Sequence, residues 1–493
     1  MSSSAQQGID EESYSSWRQR SELENMADLP KELEDELAAL DTQFWVSGEK
    51  LREIVQRFRE ELREGLSRDG QNIPMNLAWT GLPSGKETGQ ILTLDLGGTN
   101  LRVCKVTLHG DKPGVKEKAE LDQEQYKIPE ALKTGEADDL WTFIAAKLET
   151  FFHNKKLNET YSKDKPMPLG FTFSYPATQS RIDHAVLQTW TKGFDINGVE
   201  GKDVAQQLHE KLEANNLPFE LICIINDTVG ALVASAYTDP ATIIGAIFGT
   251  GCNAAYMASV SDISKVNVTE QGYVGEKMAI NCEYGAFDNA HRVLPRTEFD
   301  KMIDELSPRP GEQAFEKLSA GLYLGEIFRL VLVDLVGREL LFRDQDTEKL
   351  KEEYVLDTGF LSAVENDGSS HSEDTRKLFK STLDIEVSDV EIEFSRRVAE
   401  MVAVRGARLC ACGVAAICGM EEITEGHVAA DGSVANKHPK FGKRWGRALG
   451  EILGWEEEGR IRIVGAEDGS GLGCAVVAGM EIERRSEYMG RDM

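Results

Sequence analysis

No stretch of the 493 residues reaches the run of ~20 apolar side chains that crossing a bilayer takes, which sets a membrane-spanning protein aside. Basic residues are scarce. The 55 Lys and Arg stand against 84 Asp and Glu, a formal net charge of -29, and such a field repels the phosphate backbone of nucleic acid. The opening MSSSAQQGIDEESYSSWRQR has no basic segment leading into an apolar one, and it is too acidic for a transit peptide, so no export is expected. Eight cysteines occur without a CxxC pair, mostly inside apolar runs, and read as reduced thiols of a cytoplasmic protein. Cys410, Cys412 and Cys418 cluster in LCACGVAAIC, an Ala-rich stretch without a nearby His, and are expected to be buried small hydrophobes rather than metal ligands. Three nucleotide-binding signatures are also missing: the Walker pattern, the protein-kinase Gly-rich loop with its HRD and DFG partners, and the GxGxxG fingerprint.

At ~150 residues per domain, the length suggests roughly three domains or two large ones. Residues 1–27 are polar and Ser-rich and predict a disordered tail. A helical region comes next, over 28–89. Asp28 can cap a helix with Pro30 in its first turn, and after Ser47 the apolar set Leu51, Ile54, Val55, Phe58, Leu62 and Leu66 recurs at helical spacing until Gly70. From residue 90 short apolar runs punctuated by glycine alternate with longer helical patterns, the texture of an α/β protein. QILTLDLGGTNLRVCKVTL (90–108) and ATIIGAIFGTGCNAAYMAS (241–259) both read as strand, Gly/Thr turn, strand, which suggests a duplicated domain with a cleft between the halves. A third glycine turn lies in IRIVGAEDGSGLGCAVVAGMEIE (461–483), where a helix is predicted after Gly473.

The turn DLGGTN frees the backbone at Gly97 and Gly98 and adds the hydrogen-bonding side chains of Thr99 and Asn100, a combination that can cradle phosphate oxygens. A hairpin that merely needs glycine would look the same, and so would FGTGCN at 248–253. Three such turns in one chain favour a phosphate-binding cleft, because the overall charge rules out bulk attraction of an anion. Asp227, after the apolar strand LICII, lies where α/β ligand sites gather; it reads equally as a base and as the cap of a helix beginning near Val229. Lys192 in TKGFD reads alone as a solvated lysine. Asn281 and Glu283 in NCEYGAFD, with Gln313 and Glu316 in PGEQAFEK, read alone as surface polar groups.

LDLGGTNLRV, LGFTFSYPATQ, TWTKGFD, INDT, IFGTGCN, INCEYGAFDN and AEDGSGLG occur together in this order, and over roughly residues 30–485 the chain resembles the hexokinase family. The texture of NIPMN and NCEYGAFDN is most similar to the fungal members. The resemblance implies a two-domain actin-like, ribonuclease H-like sugar kinase fold, with residues 90–227 and the C-terminal helix 474–493 as the small domain. It makes 228–473 the large one, on which the N-terminal helices pack. It implies transfer of the γ-phosphate of magnesium-ATP to the 6-hydroxyl of glucose, or of fructose or mannose, the first step of glycolysis. By position it makes Asp227 the catalytic base, assisted by Lys192. The sugar would be held by Ser174, Thr191, Lys192, Asn226, Asp227, Asn253, Glu283, Gln313 and Glu316. ATP would lie among Asp95, Leu96, Gly97, Gly98, Thr99, Asn100, Gly249, Thr250, Gly251, Ser433, Asp468, Gly469, Ser470 and Gly471, and would carry the magnesium with no direct protein ligand. Monomer and homodimer are both compatible with it, and no nucleic-acid or membrane partner is expected. Where the family often has GQQ, this chain has Glu312. A glucose sensor that no longer turns over is the alternative on the same fold, and an ATP-driven chaperone or filament protein the alternative in the fold class; TKGFD and INDT argue against the latter.

Overall fold

The computed structural model describes residues 29–112, 117–191, 193–455 and 459–491. The expected tail 1–27, Asp28 and Lys192 lie outside the described residues. The chain enters through two helices, Lys31–Phe44 and Gly48–Ser67. Pro30 immediately precedes the first instead of lying within its first turn. Ser47 caps the second, its Oγ accepting from the Lys50 N–H at 3.2 Å, and all six apolar residues of the predicted stripe are buried.

Two sheets organise the rest of the chain, and they share one plan. After the short strand β1 (Asn76–Leu77), β2 (Gly89–Leu96), β3 (Asn100–Leu108) and β4 (Ala119–Lys127) form an antiparallel meander. Strand β5 (Met167–Phe173) then joins β2 in parallel, β6 (Ala177–Arg181) and β7 (His184–Leu187) make a separate hairpin, and β8 (Phe219–Ile225) joins β5 in parallel. The second sheet repeats the order. Strands β9 (Thr242–Phe248), β10 (Cys252–Ser259) and β11 (Lys277–Asn281) form the meander, and β12 (Gly426–Asp431) and β13 (Ile461–Gly465) add in parallel. The order β4-β3-β2-β5-β8 thus corresponds to β11-β10-β9-β12-β13, with β1 added beyond β11. The two strand-turn-strand repeats seen in the sequence are the first hairpins of the two sheets.

Around each sheet a lobe is built. One face of the first sheet packs on the helices Ala137–Asn154 and Val204–Ala214 through an aromatic-rich core containing Trp141, Phe171 and Trp190. Its other face receives the helix Cys474–Arg491. The second lobe is organised by the 32-residue helix Asp389–Met420, about 48 Å long at 1.5 Å per residue. This helix corrects the expectation from the sequence, since one stretch of it is apolar and long enough to cross a membrane. That stretch is wholly buried within the protein, where it contacts the N-terminal helices and the helix Phe441–Leu453, so its apolarity serves a core. Cys410, Cys412 and Cys418 sit buried on it, small hydrophobes as expected.

The chain passes between the lobes through the helix Asp227–Thr238 and the tight turn Gly469–Gly473, and these two segments touch backbone to backbone. A Cβ on Gly230 would lie 2.3 Å from the Gly469 carbonyl oxygen, and one on Gly473 would lie 2.1 Å from that of Gly230. Only glycine permits this approach.

Candidate active site

Where β8 ends, Asn226 turns the chain into the 227–238 helix. Its Oδ1 accepts from the Thr228 N–H at 2.8 Å, satisfying one of the helix's orphan donors. The helix therefore begins at Asp227 rather than near Val229, and the cap is Asn226. Asp227 is half-buried at the carboxyl end of β8, its Oδ1 accepting from the Thr228 N–H at 2.8 Å and the Thr228 hydroxyl at 3.3 Å.

Asn253 gathers the neighbouring polar groups. Its Nδ2 donates to Asn281 Oδ1 at 2.7 Å, Thr228 Oγ1 at 3.1 Å and Glu283 Oε1 at 3.3 Å. Its Oδ1 accepts from the N–H groups of Ala254 at 2.7 Å and Glu283 at 2.9 Å. Asn281 Nδ2 donates to the same Glu283 oxygen at 2.8 Å. One buried amide thus ties the start of the 227–238 helix to the loop after β11, and its two N–H groups are shared among three acceptors. Glu283 and Gln313 both hold φ at 56°, a left-handed backbone that non-glycine residues rarely adopt and that packing must impose. The imposing groups are visible: Phe58 of the N-terminal helix stacks on Phe287 with ring centroids 3.9 Å apart, and meets Tyr284 and Phe315 edge-on. Those rings flank Glu283 and Glu316. Glu316 Oε2 accepts from the Cys252 N–H at 3.0 Å, and a Cβ on Gly251 would come within 2.7 Å of that oxygen. Gln313 Oε1 lies against Gly285. Among the residues predicted to hold sugar, Asn226, Asp227, Asn253 and Glu283 are therefore linked through Thr228 and Asn253, and Gln313 and Glu316 meet at Gly285, two residues past Glu283. Ser174 is buried just past β5, Thr191 lies in a turn closed by the Phe194 N–H on its carbonyl at 3.1 Å, and Lys192 lies outside the described residues.

The facing wall comes from the first sheet. The Gly97 N–H donates to the Asn100 carbonyl at 3.1 Å to close the turn, and the Tyr175 hydroxyl donates to the Gly97 carbonyl at 3.2 Å. Arg102 spans the wall, with Nη2 at 3.2 Å from Asp95 and both Nη atoms on Asp468, at 2.9 and 3.1 Å. The Thr172 hydroxyl donates to the Ser470 carbonyl at 2.8 Å, and the Gly471 N–H to Asp468 Oδ1 at 3.0 Å. The 468–471 loop is thus locked to the 95–100 turn. Burial pushes the Asp95 carboxyl up; Arg102 and Ser470 oppose it, the Asp227 charge reinforces it, and the net shift is upward. Asp95 on β2 and Asp227 just past β8, both at the first sheet, therefore share one electrostatic field. In the turn after β9, the Gly249 and Thr250 carbonyls accept from the N–H groups of Gly321 and Leu322 at the start of the helix Gly321–Gly337, and Gly249 packs against Gly432, beside the exposed Ser433. Thr99 is exposed, whereas Leu96 points into the core of the first sheet and offers a ligand only its backbone.

Arg102, Thr172, Tyr175 and Thr228 belong to this constellation and escaped the sequence reading, and Asn281, which alone reads as a surface polar group, is instead buried and joins it. For Arg102 a signal existed: β2 and β3 pair Asp95 with Arg102, an opposite-charge cross-strand pair placed symmetrically about the glycine turn. The others are brought in by tertiary contacts. Among the described residues no group of three His, Cys, Asp or Glu side chains is arranged to hold a metal ion. The carboxylates nearby, Asp95 and Asp227, suit a magnesium ion brought by a nucleotide, whose direct ligands would be phosphate and water.

Two copies of one sheet plan, each presenting a glycine turn to a cleft and joined by a strand-end carboxylate, define a phosphotransferase of the actin-like class. Two models described as Hexokinase match residues 36–237 and 243–480. The chain is 50% identical to a hexokinase of Emericella nidulans over 468 residues, 93% of each chain, and 47% identical to hexokinase-1 of Saccharomyces cerevisiae over 94% of this chain and 95% of that one. The solved hexokinase of Schistosoma mansoni complexed with glucose superposes with a TM-score of 0.79 at 36% identity, covering 91% of this chain and 99% of the other. The chain belongs to the hexokinase family, and its two-lobed α/β architecture is the sugar kinase fold of that family.

Proposed function

We infer that this protein transfers the γ-phosphoryl group of ATP to the 6-hydroxyl of glucose, with fructose and mannose as further acceptors, and that Asp227 is the residue on which the transfer turns. The observation that carries the reading is the linkage of Asp227, through Thr228 and Asn253, to Glu283 across a gap of more than fifty residues. A sugar presents a ring of hydroxyls that each donate and accept, and a set of Asn, Gln and Glu groups held in fixed orientation suits it. Ser174, Thr191 and Lys192 complete that set by family resemblance. ATP would be bound by the turns at 95–100, 249–251 and 468–471 together with Ser433, and magnesium bound to ATP would neutralise phosphoryl charge as it develops.

A sugar hydroxyl has a pKa near ~16 and an ordinary Asp near 3.9, so full proton transfer before bond formation would be uphill by ~16 kcal/mol. Asp227 therefore orients the hydroxyl and takes its proton as the oxygen-phosphorus bond forms. Water could compete as acceptor, and lobe closure on sugar would prevent that by assembling the site only when sugar is bound. We assign residues 90–227 with 474–493 to one moving body and 228–473 to the other. The glycine crossing at Gly230 and Gly473 supports a hinge there, because the two segments by which the chain passes between the bodies meet at it in close backbone contact. The eight buried thiols support a reducing, cytoplasmic setting.

The test is ATP consumption with glucose, fructose and no sugar, in the wild type and in Asp227→Ala. Sugar-dependent turnover that falls by several orders of magnitude in the variant is expected. Near-normal turnover in Asp227→Ala would remove Asp227 from the mechanism.

A further inference from the structure

We propose that Arg309 is a positioning residue for the sugar: it latches the segment Thr189–Trp190 to the loop that carries Gln313, and Glu312 steadies it. The proposal rests on the hexose-kinase reading above. Arg309 lies between the helices Glu298–Leu306 and Ala314–Ser319, and its backbone is firmly held. Its carbonyl accepts from Lys317 Nζ at 2.8 Å. The Lys317 side chain is buried, and its amine is paired with Asp304 at 2.7 Å. Asp304 Oδ1 also accepts from the Gly311 N–H at 3.0 Å, and Oδ2 pairs with Arg296 at 3.0 Å. A buried ion network thus fixes the loop 309–311 on its own lobe.

The Arg309 side chain reaches out from that anchor. It is 48% exposed, and Nη2 donates to Thr189 Oγ1 at 2.9 Å and to the Trp190 carbonyl at 3.4 Å, while Nη1 lies 3.6 Å from Glu312. The planar fork of a guanidinium allows this division, with one arm on a hydroxyl and a carbonyl and the other facing a carboxylate. The two ends of the contact belong to different lobes. Trp190 sits in the aromatic core of the first sheet, its ring 4.8 Å from Tyr175 and 5.4 Å from Phe194. The 298–306 helix buries Phe299 and Ile303 in a separate core with the N-terminal helix. Along the chain, Trp190 adjoins Thr191, and Glu312 adjoins Gln313. Glu312 is also the position where the chain departs from the GQQ of its family, and the structure gives its carboxylate a partner in the guanidinium.

A contact between lobes at the edge of a sugar cleft weights the closed arrangement against the open one. A ligand that needs the closed arrangement then binds more weakly by the factor in which that arrangement is depleted. Losing the latch should therefore raise the KM for sugar and leave that for ATP nearly unchanged. Because the arginine is half-exposed, the effect is moderate.

The experiment varies glucose and ATP separately in the wild type, Arg309→Ala, Arg309→Lys, Thr189→Val and Glu312→Gln, and follows the glucose-induced change in tryptophan fluorescence. Arg309→Ala is expected to raise the glucose KM about five- to tenfold, keep the ATP KM within about twofold, and shift the fluorescence midpoint in step with the glucose KM. Arg309→Lys should recover part of the loss. Thr189→Val and Glu312→Gln should each raise the glucose KM by less, and add nothing in the Arg309→Ala background. A wild-type glucose KM in Arg309→Ala, or an equal rise in both KM values, would overturn the latch. If Arg309→Ala does not fold, Thr189→Val decides by the same criterion. A wild type that consumes ATP independently of sugar would overturn the kinase reading and the latch together; normal wild-type turnover with unaltered variants overturns the latch alone.

Discussion

Replacing Gly230 with alanine probes the crossing on which both lobes depend. Gly230 lies inside the 227–238 helix, where Gly→Ala by itself should stabilise by about 1 kcal/mol through helix propensity. The tertiary contact opposes that gain. The new Cβ would stand 2.3 Å from the Gly469 carbonyl oxygen and 2.8 Å from its carbonyl carbon, about 1 Å inside ordinary contact, and both groups are backbone that cannot rotate away. The 469–473 turn must therefore shift. Overpacking of this kind costs about 1–3 kcal/mol, and the shift strains the Ser470 carbonyl bond to Thr172 and the Gly471 bond to Asp468, at about 1 kcal/mol each. The net expectation is a loss of about 2–4 kcal/mol. Since the displaced turn carries Asp468 and Ser470, a movement near 1 Å should also lower kcat/KM for ATP by up to ~100-fold, with a smaller effect on the glucose KM. Urea unfolding without ligands, together with steady-state kinetics in each substrate, measures both. A variant as stable as the wild type or more so, with unchanged ATP kinetics, would refute the claim that the crossing needs glycine.

Two further expectations concern buried groups. Glu365, 3% exposed, is paired with Arg444, His438 and Lys440; burial alone would raise its carboxyl, but Arg444 and His438 outweigh that and hold it well below the ordinary carboxylate range. Its stabilisation is therefore complete above the unfolded value near 4.5 and is lost as pH falls toward the lower folded value. Glu365→Gln should cost about 3–5 kcal/mol at pH 7, by stranding the cations, with the gap to the wild type narrowing below about pH 4.5; a gap independent of pH between 7 and 3.5 would count against the ion network. All eight cysteines are buried, and burial pushes the Cys104, Cys410 and Cys418 thiols up to about 12. A thiol-specific reagent at pH 8 should label the native protein slowly and all eight groups once it is unfolded, and rapid labelling of a native thiol would show an opening that the packing does not predict.

The chemistry of the site was legible because it is carried by short segments of distinctive composition. Asp227 at the end of LICII, the glycine turns and the helix register from Leu51 to Leu66 all depend on neighbours within a few residues, and each stands where the local pattern put it. Where local rules allowed two outcomes, the reading faltered. Asn226 and Asp227 are both competent caps, and only the fold selects Asn226; the 389–420 helix is apolar enough for a membrane, and only its position between the N-terminal helices and the 441–453 helix makes it a core.

The sequence by itself determined the α/β texture, the repeated strand-turn-strand unit and the glycine and polar residue types of the candidate site, because periodicity and turn chemistry act within one segment. The tertiary structure alone decided which of those residues meet. Phe58 reaches the rings beside Glu283 and Glu316, Arg102 bridges Asp95 and Asp468, and Arg309 crosses to Thr189, contacts that span from seven to more than three hundred and sixty residues. Such pairings arise from how whole sheets and helices stack. A side chain's own neighbours carry no record of that stacking, so the network around Asn253 and the glycine crossing at Gly230 become visible only when the chain is folded.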